Sequence, residues 1–478
     1  MAASDQTRVH PEQSNNGLRI GKRAILLSVV FMFLIMVITY VLTLVIPGGV
    51  YARTTDAEGH RIIDLNAGYT EVPGGIPFWK WLLSPILVLG AEGSGTLIVI
   101  ILFLLLIGGL FNALTEQGIM KHMLSRLVCR YGHVRYRLMT VVTFFFMAIG
   151  AFIGSFEEVI PMVPIVVSLA VGLGWDIQTG IAMSLLAVGC GFASGVANPF
   201  TVGIAQTLSG LPVFSGMWFR LVSFVLIFLL LLAFVYLHAR KITRPGESVS
   251  AQGVKAGVDP KRDLGVRCFA IIMGAGIGVV LLSGFFPALA DYSIVILSLT
   301  FVGAGVSSVL SSGMGLKRFF KSFFEGVAAI APSLVLILMA SSIRYIMEEG
   351  HILDSILHFA MQAGGGMSRY GLILFIYLIC IVINFFVPSG SAEAFLLIPM
   401  IVPLASAFGV SSQLCVVAFA FGDGFSNIIY PTNAALLVSL GLAGCSYGKW
   451  VKYSLSFQLL NLALTSGLLL LGVAVGYA

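Results

Sequence analysis

Long apolar runs separated by short polar loops fill almost the whole chain. Many runs exceed the ~18 residues that a membrane-crossing helix needs. Residues 1–23 are polar and read as a tail. Spanning helices are predicted at 24–46, 96–114 and 217–238, and again at 266–285, 292–311, 327–346 and 452–475. Between them the pattern is interrupted in a particular way. Residues 138–172 form two apolar arms about Gly154-Ser155-Phe156-Glu157-Glu158, followed by Pro161 and Pro164. Residues 371–407 do the same about Pro388-Ser389-Gly390-Ser391-Ala392-Glu393, followed by Pro399 and Pro403. A broken helix at membrane depth is tolerated only against protein or water. Both turns are therefore expected to be tips of re-entrant hairpins. A broken helix is predicted after each: 178–212, interrupted at Gly189, Gly191, Gly195, Asn198 and Pro199, and 411–441, interrupted at Gly422-Asp423-Gly424 and at Pro431-Thr432-Asn433.

Composition fixes the class. Apolar residues make up 58% of the 478 and charged residues 10%, so soluble-domain reasoning does not apply and an all-α polytopic membrane protein is predicted. The net charge of +6 sits in short loops, which is the positive-inside pattern and not a nucleic-acid-binding face. Arg19, Lys22 and Arg23 predict a cytoplasmic N-terminus. Residues 47–80, with Asp56, Glu58, Asp64 and Glu71, are expected outside, ending in an interfacial anchor at Phe78-Trp79-Lys80-Trp81. Lys317, Arg318 and Lys321 alternate with Phe319, Phe320, Phe323 and Phe324, a pattern suited to a separate interfacial helix. The polar linker 239–265 divides the chain into halves, 24–238 and 266–478.

The halves match each other. Asn112, Glu116 and Gly118 align with Arg344, Glu348 and Gly350, and Gly154-Ser155-x-Glu157 with Gly390-Ser391-x-Glu393. Pro199 aligns with Pro431, and Gly216-x-Trp218-x-Arg220 with Gly448-x-Trp450-x-Lys452. The order is kept throughout. The predicted topology puts the two copies in opposite orientation. Inverted repeats with paired broken helices mark secondary transporters, whose site lies near the midplane.

Chemistry concentrates at the tips and breaks. Glu157, Glu158, Glu393 and Asp423 lie there, with no Lys, Arg or His between Leu138 and Phe219 or between Tyr370 and Gly448. Acids in hydrocarbon are costly and by default functional. The structural alternative is that they satisfy free N–H groups at the turns. Uncompensated, they take up protons or need cations, so a cationic substrate, a sodium ion or a coupling proton is expected. Ser155, Ser389, Ser391, Asn198, Asn427, Thr432 and Asn433 complete the candidate substrate site, each with helix capping as its structural alternative. No zinc site, Walker A, GxSxG or HExxH pattern is present. No cofactor and no enzymatic activity are expected.

The stretch Ser155-Phe-Glu157-Glu158-x-x-Pro161-x-x-Pro164, the run Ala197-Asn198-Pro199-Phe200-Thr201-Val202-Gly203-Ile204-Ala205-Gln206 and the block Phe421-Gly422-Asp423-Gly424-Phe425-Ser426-Asn427 resemble a bacterial family. It is described as C4-dicarboxylate anaerobic carrier-like and has arginine/ornithine antiporter-like members. The resemblance covers roughly residues 20–475. It implies a bacterial inner-membrane carrier, a homodimer, and an elevator-type division into scaffold and transport domain. The Ser-Asn-Thr signature of the related divalent-anion symporters is missing from the hairpin tips. Together with the acids, this favours a basic amino acid as substrate over a C4-dicarboxylate or other organic anion. A non-transporting membrane scaffold or receptor is the rival from another class.

Overall fold

A computed structural model describes residues 22–477, apart from 56–60, 64–67, 92–93, 121, 124–125, 127–131, 155, 213, 244–258, 284–292 and 365. Six of the described helices are long and apolar enough to cross a membrane. The first helix, α1 (Lys22–Val45), is followed by four short strands: β1 (Gly49–Tyr51), β2 (Arg53–Thr55), β3 (Arg61–Ile63) and β4 (Tyr69–Glu71). They pair antiparallel, β1 with β4 and β2 with β3. Helices α2 (Phe78–Leu87) and α3 (Ser94–Glu116) complete the opening segment. The segment expected as an anchor, 78–81, opens α2. Trp79 is exposed, but Trp81 is buried and its indole donates to the Met36 carbonyl at 2.9 Å.

The first interrupted region follows. Helix α4 (Arg135–Ile153) ends at Gly154, whose φ of +75° is the left-handed geometry glycine tolerates best. A 3₁₀ segment, Glu157–Met162, leads into α5 (Val163–Gly172). Asp176 caps the next helix by accepting from the Thr179 amide at 2.9 Å. That helix, α6 (Ile177–Ser194), carries a π turn at Ala182–Leu186 and ends at Gly195 with φ +51°. A short α7 (Ile204–Leu208) and a long α8 (Met217–Ile242) close the half.

The second half opens with α9 (Pro260–Ser283) and α10 (Ser293–Ser311). Residues 316–349 then form one unbroken helix, α11 (Leu316–Glu349). The separate interfacial helix expected there is therefore continuous with the span after it. Gly326 does not divide them: a side chain there would strike the Gly108 carbonyl, so this glycine lets α11 press against α3. After α12 (Leu353–Gly364), the order of the first interrupted region recurs: α13 (Arg369–Phe386), a turn, α14 (Gly390–Ala407), α15 (Ser412–Asn427), a break, α16 (Ala434–Leu442) and α17 (Tyr447–Val475).

Two groups of helices result. In one, α11 packs on α1 and α3, and α10 on α3 and α9. In the other, α6 and α15 cross at the centre; α4 lies on α6, α13 and α14 lie on α15, and α8 and α17 cover the outside. This crossing corrects the expected break positions. Gly189 and Gly191 lie inside continuous α6, and Gly422-Asp423-Gly424 inside continuous α15. A Cβ on Gly191 would strike the Met147 carbonyl, on Gly189 Ile428, on Gly422 Cys380, and on Gly424 Ala193. These glycines bring helix backbones together, as small residues do between membrane helices. The breaks fall at the remaining expected positions, after Ser194 at Gly195–Asn198 and after Asn427 up to Pro431-Thr432-Asn433.

Candidate functional site

The two tips reach the two breaks. Gly154 sits so close to Asn198 that a Cβ would collide with its side-chain amide. Asn198 is buried in the break after α6, where its Oδ1 accepts from the Thr201 amide at 3.3 Å. The Ala197 amide donates back to the Ala151 carbonyl at 2.9 Å, tying break to tip. At the other tip, a Cβ on Gly390 would meet Thr201 and the Asp423 carboxylate. Thr201 thus belongs to the first break and touches the second tip, so both units converge on one region.

The chemistry is densest at the second break. Asp423 is buried on α15 and its Oδ1 accepts from Asn427 Nδ2 at 2.8 Å. Asn427 Oδ1 accepts in turn from Asn433 Nδ2 at 2.7 Å. Asn433 Oδ1 caps α16 by accepting from the Leu436 amide at 3.2 Å. Three of the candidate residues are therefore one chain spanning the break, and both the ligand and the capping reading fit Asn433. Asn384, on α13, anchors the cluster by donating to the Asp423 carbonyl at 3.0 Å and to Ser426.

Glu393 occupies the first turn of α14. It is fully buried, lies within electrostatic reach of Asp423, and neither of its carboxylate oxygens has a hydrogen-bond partner among the described residues. A buried carboxylate without hydrogen bonds or a counter-charge is strongly unfavourable. Such a group takes up a proton or pairs with a cation. The hydroxyls of Thr201 and Thr432 are also buried without a described partner. Ser389 precedes α14 but its side chain makes no capping bond; it and Ser391 are half-buried. Ser155 lies outside the described residues, as do the side chains of Glu157 and Glu158, whose backbones start the 3₁₀ segment. Among the described residues no three His, Cys, Asp or Glu side chains gather as a metal site.

One basic residue escaped the sequence reading. Arg220, on α8, is fully buried and donates from Nε and Nη2 to the Val196 carbonyl at 3.4 and 3.3 Å. Val196 lies in the break beside Asn198. The stretch without basic residues ended at Phe219, one position short of it. The aligned Gly-x-Trp-x-basic motif was the available signal.

A carrier's site has this form: two helix–turn–helix units meeting at paired helix breaks, with buried acids where they join. The chain belongs to the family described as C4-dicarboxylate anaerobic carrier (DcuC), whose model matches residues 25–475. It is a multi-pass membrane transporter family and not one of enzymes. A relative in Escherichia coli (strain K12), named "Putative basic amino acid antiporter YfcC", is 28% identical over 496 residues, covering 94% of this chain and 96% of that one. Two solved structures are more distant. The Alcanivorax borkumensis YdaH transporter is 19% identical with a TM-score of 0.43, covering 95% of this chain and 98% of that one. Neisseria gonorrhoeae MtrF, described among antimetabolite efflux pumps, is 17% identical with a TM-score of 0.46, covering 93% and 94%.

Proposed function

We propose that this transporter carries basic amino acids, by exchange or with a coupling sodium ion or proton, across the bacterial inner membrane. The observation that carries the reading is Glu393: a buried carboxylate with no described hydrogen-bond partner, beside Asp423. The ammonium or guanidinium group of the substrate meets these acids, with Asn427 and Asn433 ordering the break. The name of the Escherichia coli relative agrees with it. In the same reading the N-terminus is cytoplasmic and both tips belong to re-entrant hairpins in opposite orientation. The helices around α6 and α15 form a transport domain that moves as an elevator against a scaffold of α1, α3 and α9–α11, in a homodimer. A C4-dicarboxylate is the second reading, favoured by the description of the family.

The test is a thermal-shift panel on purified protein with arginine, lysine, ornithine, neutral amino acids and C4-dicarboxylates, with and without sodium at two pH values. Ligands that bind the folded state raise its apparent stability. Basic amino acids are expected to stabilise the wild type. Glu393→Gln is expected to weaken that binding at least about tenfold, the scale of one lost charge-assisted contact. Stabilisation by dicarboxylates alone would overturn the reading.

A further inference from the structure

The two breaks are closed by the same device built from different side chains. In the second half, the Trp450 indole donates to the Ile428 carbonyl at 2.9 Å, just where α15 ends. In the first half the corresponding carbonyl is Val196, just past the end of α6. The offset between these carbonyls is the one that relates Trp218 to Trp450 and Arg220 to Lys452 in the aligned motif. Trp218 does not take the role of Trp450. It is exposed, and Arg220 closes the Val196 carbonyl in its place. One break thus receives a neutral donor and the other a full positive charge.

That charge is enclosed. Arg220 has no exposed surface, and its Nη1 meets no acceptor in hydrogen-bonding geometry among the described residues. Its polar neighbour is Tyr477, whose hydroxyl donates to the Gly216 carbonyl at 2.7 Å. A guanidinium held in low dielectric favours negative charge nearby far more than one in water does. At the other break the enclosed titratable groups are the carboxyls of Glu393 and Asp423, which accept a cationic group. The two breaks thus offer a positively charged donor at one end and acid oxygens at the other.

We propose that Arg220 is a positioning residue that makes the first break the carboxylate pole of the site. It fixes the Val196–Asn198 turn through the Val196 carbonyl and lends it positive potential. The substrate carboxylate lies toward Asn198 and Thr201, and its cationic group toward Glu393 and Asp423. This deepens the function proposed above and rests on it for the identity of the substrate.

Arginine and its decarboxylated analogue agmatine separate this from a merely structural role. Binding of each is measured on purified wild type, Arg220→Gln, Arg220→Lys and Trp450→Phe, with the ligand-free melting temperature and size-exclusion profile as folding controls. Arg220→Gln is expected to lose about tenfold in arginine affinity, the effect of one charged contact, while agmatine stays within about twofold. Arg220→Lys, which keeps the charge without the fork, is expected to retain the preference for arginine over agmatine. Trp450→Phe, which removes the matching bond without changing charge, is expected to weaken both ligands alike. Equal losses for both ligands in Arg220→Gln, or loss of the preference in Arg220→Lys, would overturn the proposal. If Arg220→Gln fails to fold, Arg220→Lys alone decides by that criterion. Failure of the substrate reading looks different: the wild type then binds neither amine. Succinate replaces arginine in that case, and an Arg220→Gln protein that keeps wild-type succinate affinity, or a wild type that binds none of the three, sinks the carboxylate pole.

Discussion

The break after α6 and the break after α15 stand at matching places in their halves and are closed alike by a donor to a free carbonyl, yet the side chains around them differ. The first is held by a glycine in left-handed geometry, a tip glycine against Asn198 and a buried guanidinium. The second is held by a run of side-chain hydrogen bonds, Asp423 to Asn427 to Asn433 to the start of α16. Close approach at two glycines and a charged donor mark one, and a run of linked carboxyl and amide side chains the other. The lesson is that duplicated architecture preserves where a helix stops, while the residues that satisfy the stop are free to diverge in charge.

The contrast can be broken most sharply at the tips. Gly154→Ala puts a Cβ at φ +75° and against Asn198, so strain and collision add. The expected loss is about 2–4 kcal/mol, from the left-handed penalty and overpacking together. Gly390→Ala meets only the collision with Thr201 and Asp423 and is expected to cost about 1–3 kcal/mol. Melting temperatures of the two variants compare them, and an equal or reversed order would refute the backbone account of the first break.

A smaller effect sharpens the other side. Asn433→Ala removes the cap of α16, at about 1 kcal/mol. Its counterpart in the first half is Asn198, whose Oδ1 accepts from the Thr201 amide where the π turn Pro199–Gly203 begins and runs into α7. Substitution of a polar neighbour there, Thr207→Ala, is expected to leave stability within about 0.5 kcal/mol. Denaturation of the two variants side by side distinguishes loss of a capping side chain from loss of a hydroxyl further along a half-helix.

The smallest effect lies outside the breaks, at the start of α6. Burial alone would raise the Asp176 carboxyl, but hydrogen bonds from His238 and Thr179 outweigh it and hold the group below the ordinary carboxylate range. A carboxyl lowered on folding adds stability above its unfolded value and loses it as pH falls through the folded one. The melting-temperature gap between wild type and Asp176→Asn is therefore expected to be full near neutrality and to close below about pH 4. A gap that persists or widens in acid would contradict this assignment.

Sequence alone carried the helix–turn–helix units, the order of elements and the buried acids Glu393 and Asp423, because charge inside an apolar run stands out regardless of packing. It misjudged Gly189, Gly191, Gly422 and Gly424. Glycine both unwinds helices and lets them touch, and only the packing of α6 and α15 on each other and on α4 and α13 shows which. Arg220 was missed for a related reason: its partner Val196 precedes it by 24 positions, and the chain folds back to join them. The continuity of α11 was hidden by the phenylalanine and lysine alternation at its start, which reads as an interface whether or not the helix continues.

The length of α11 has a consequence for the surrounding lipid. Its 34 residues extend about 51 Å, against a hydrocarbon thickness of about 30 Å and about 40–45 Å with headgroups. Confining it within the hydrocarbon would demand a tilt beyond the roughly 40° found for such helices. The helix must therefore reach beyond the oil, and both ends are charged for it: Lys317, Arg318 and Lys321 at one, Arg344, Glu348 and Glu349 at the other. A basic helix end of this kind attracts anionic headgroups, so the length of α11 is expected to bear on how deep the helices packed against it sit.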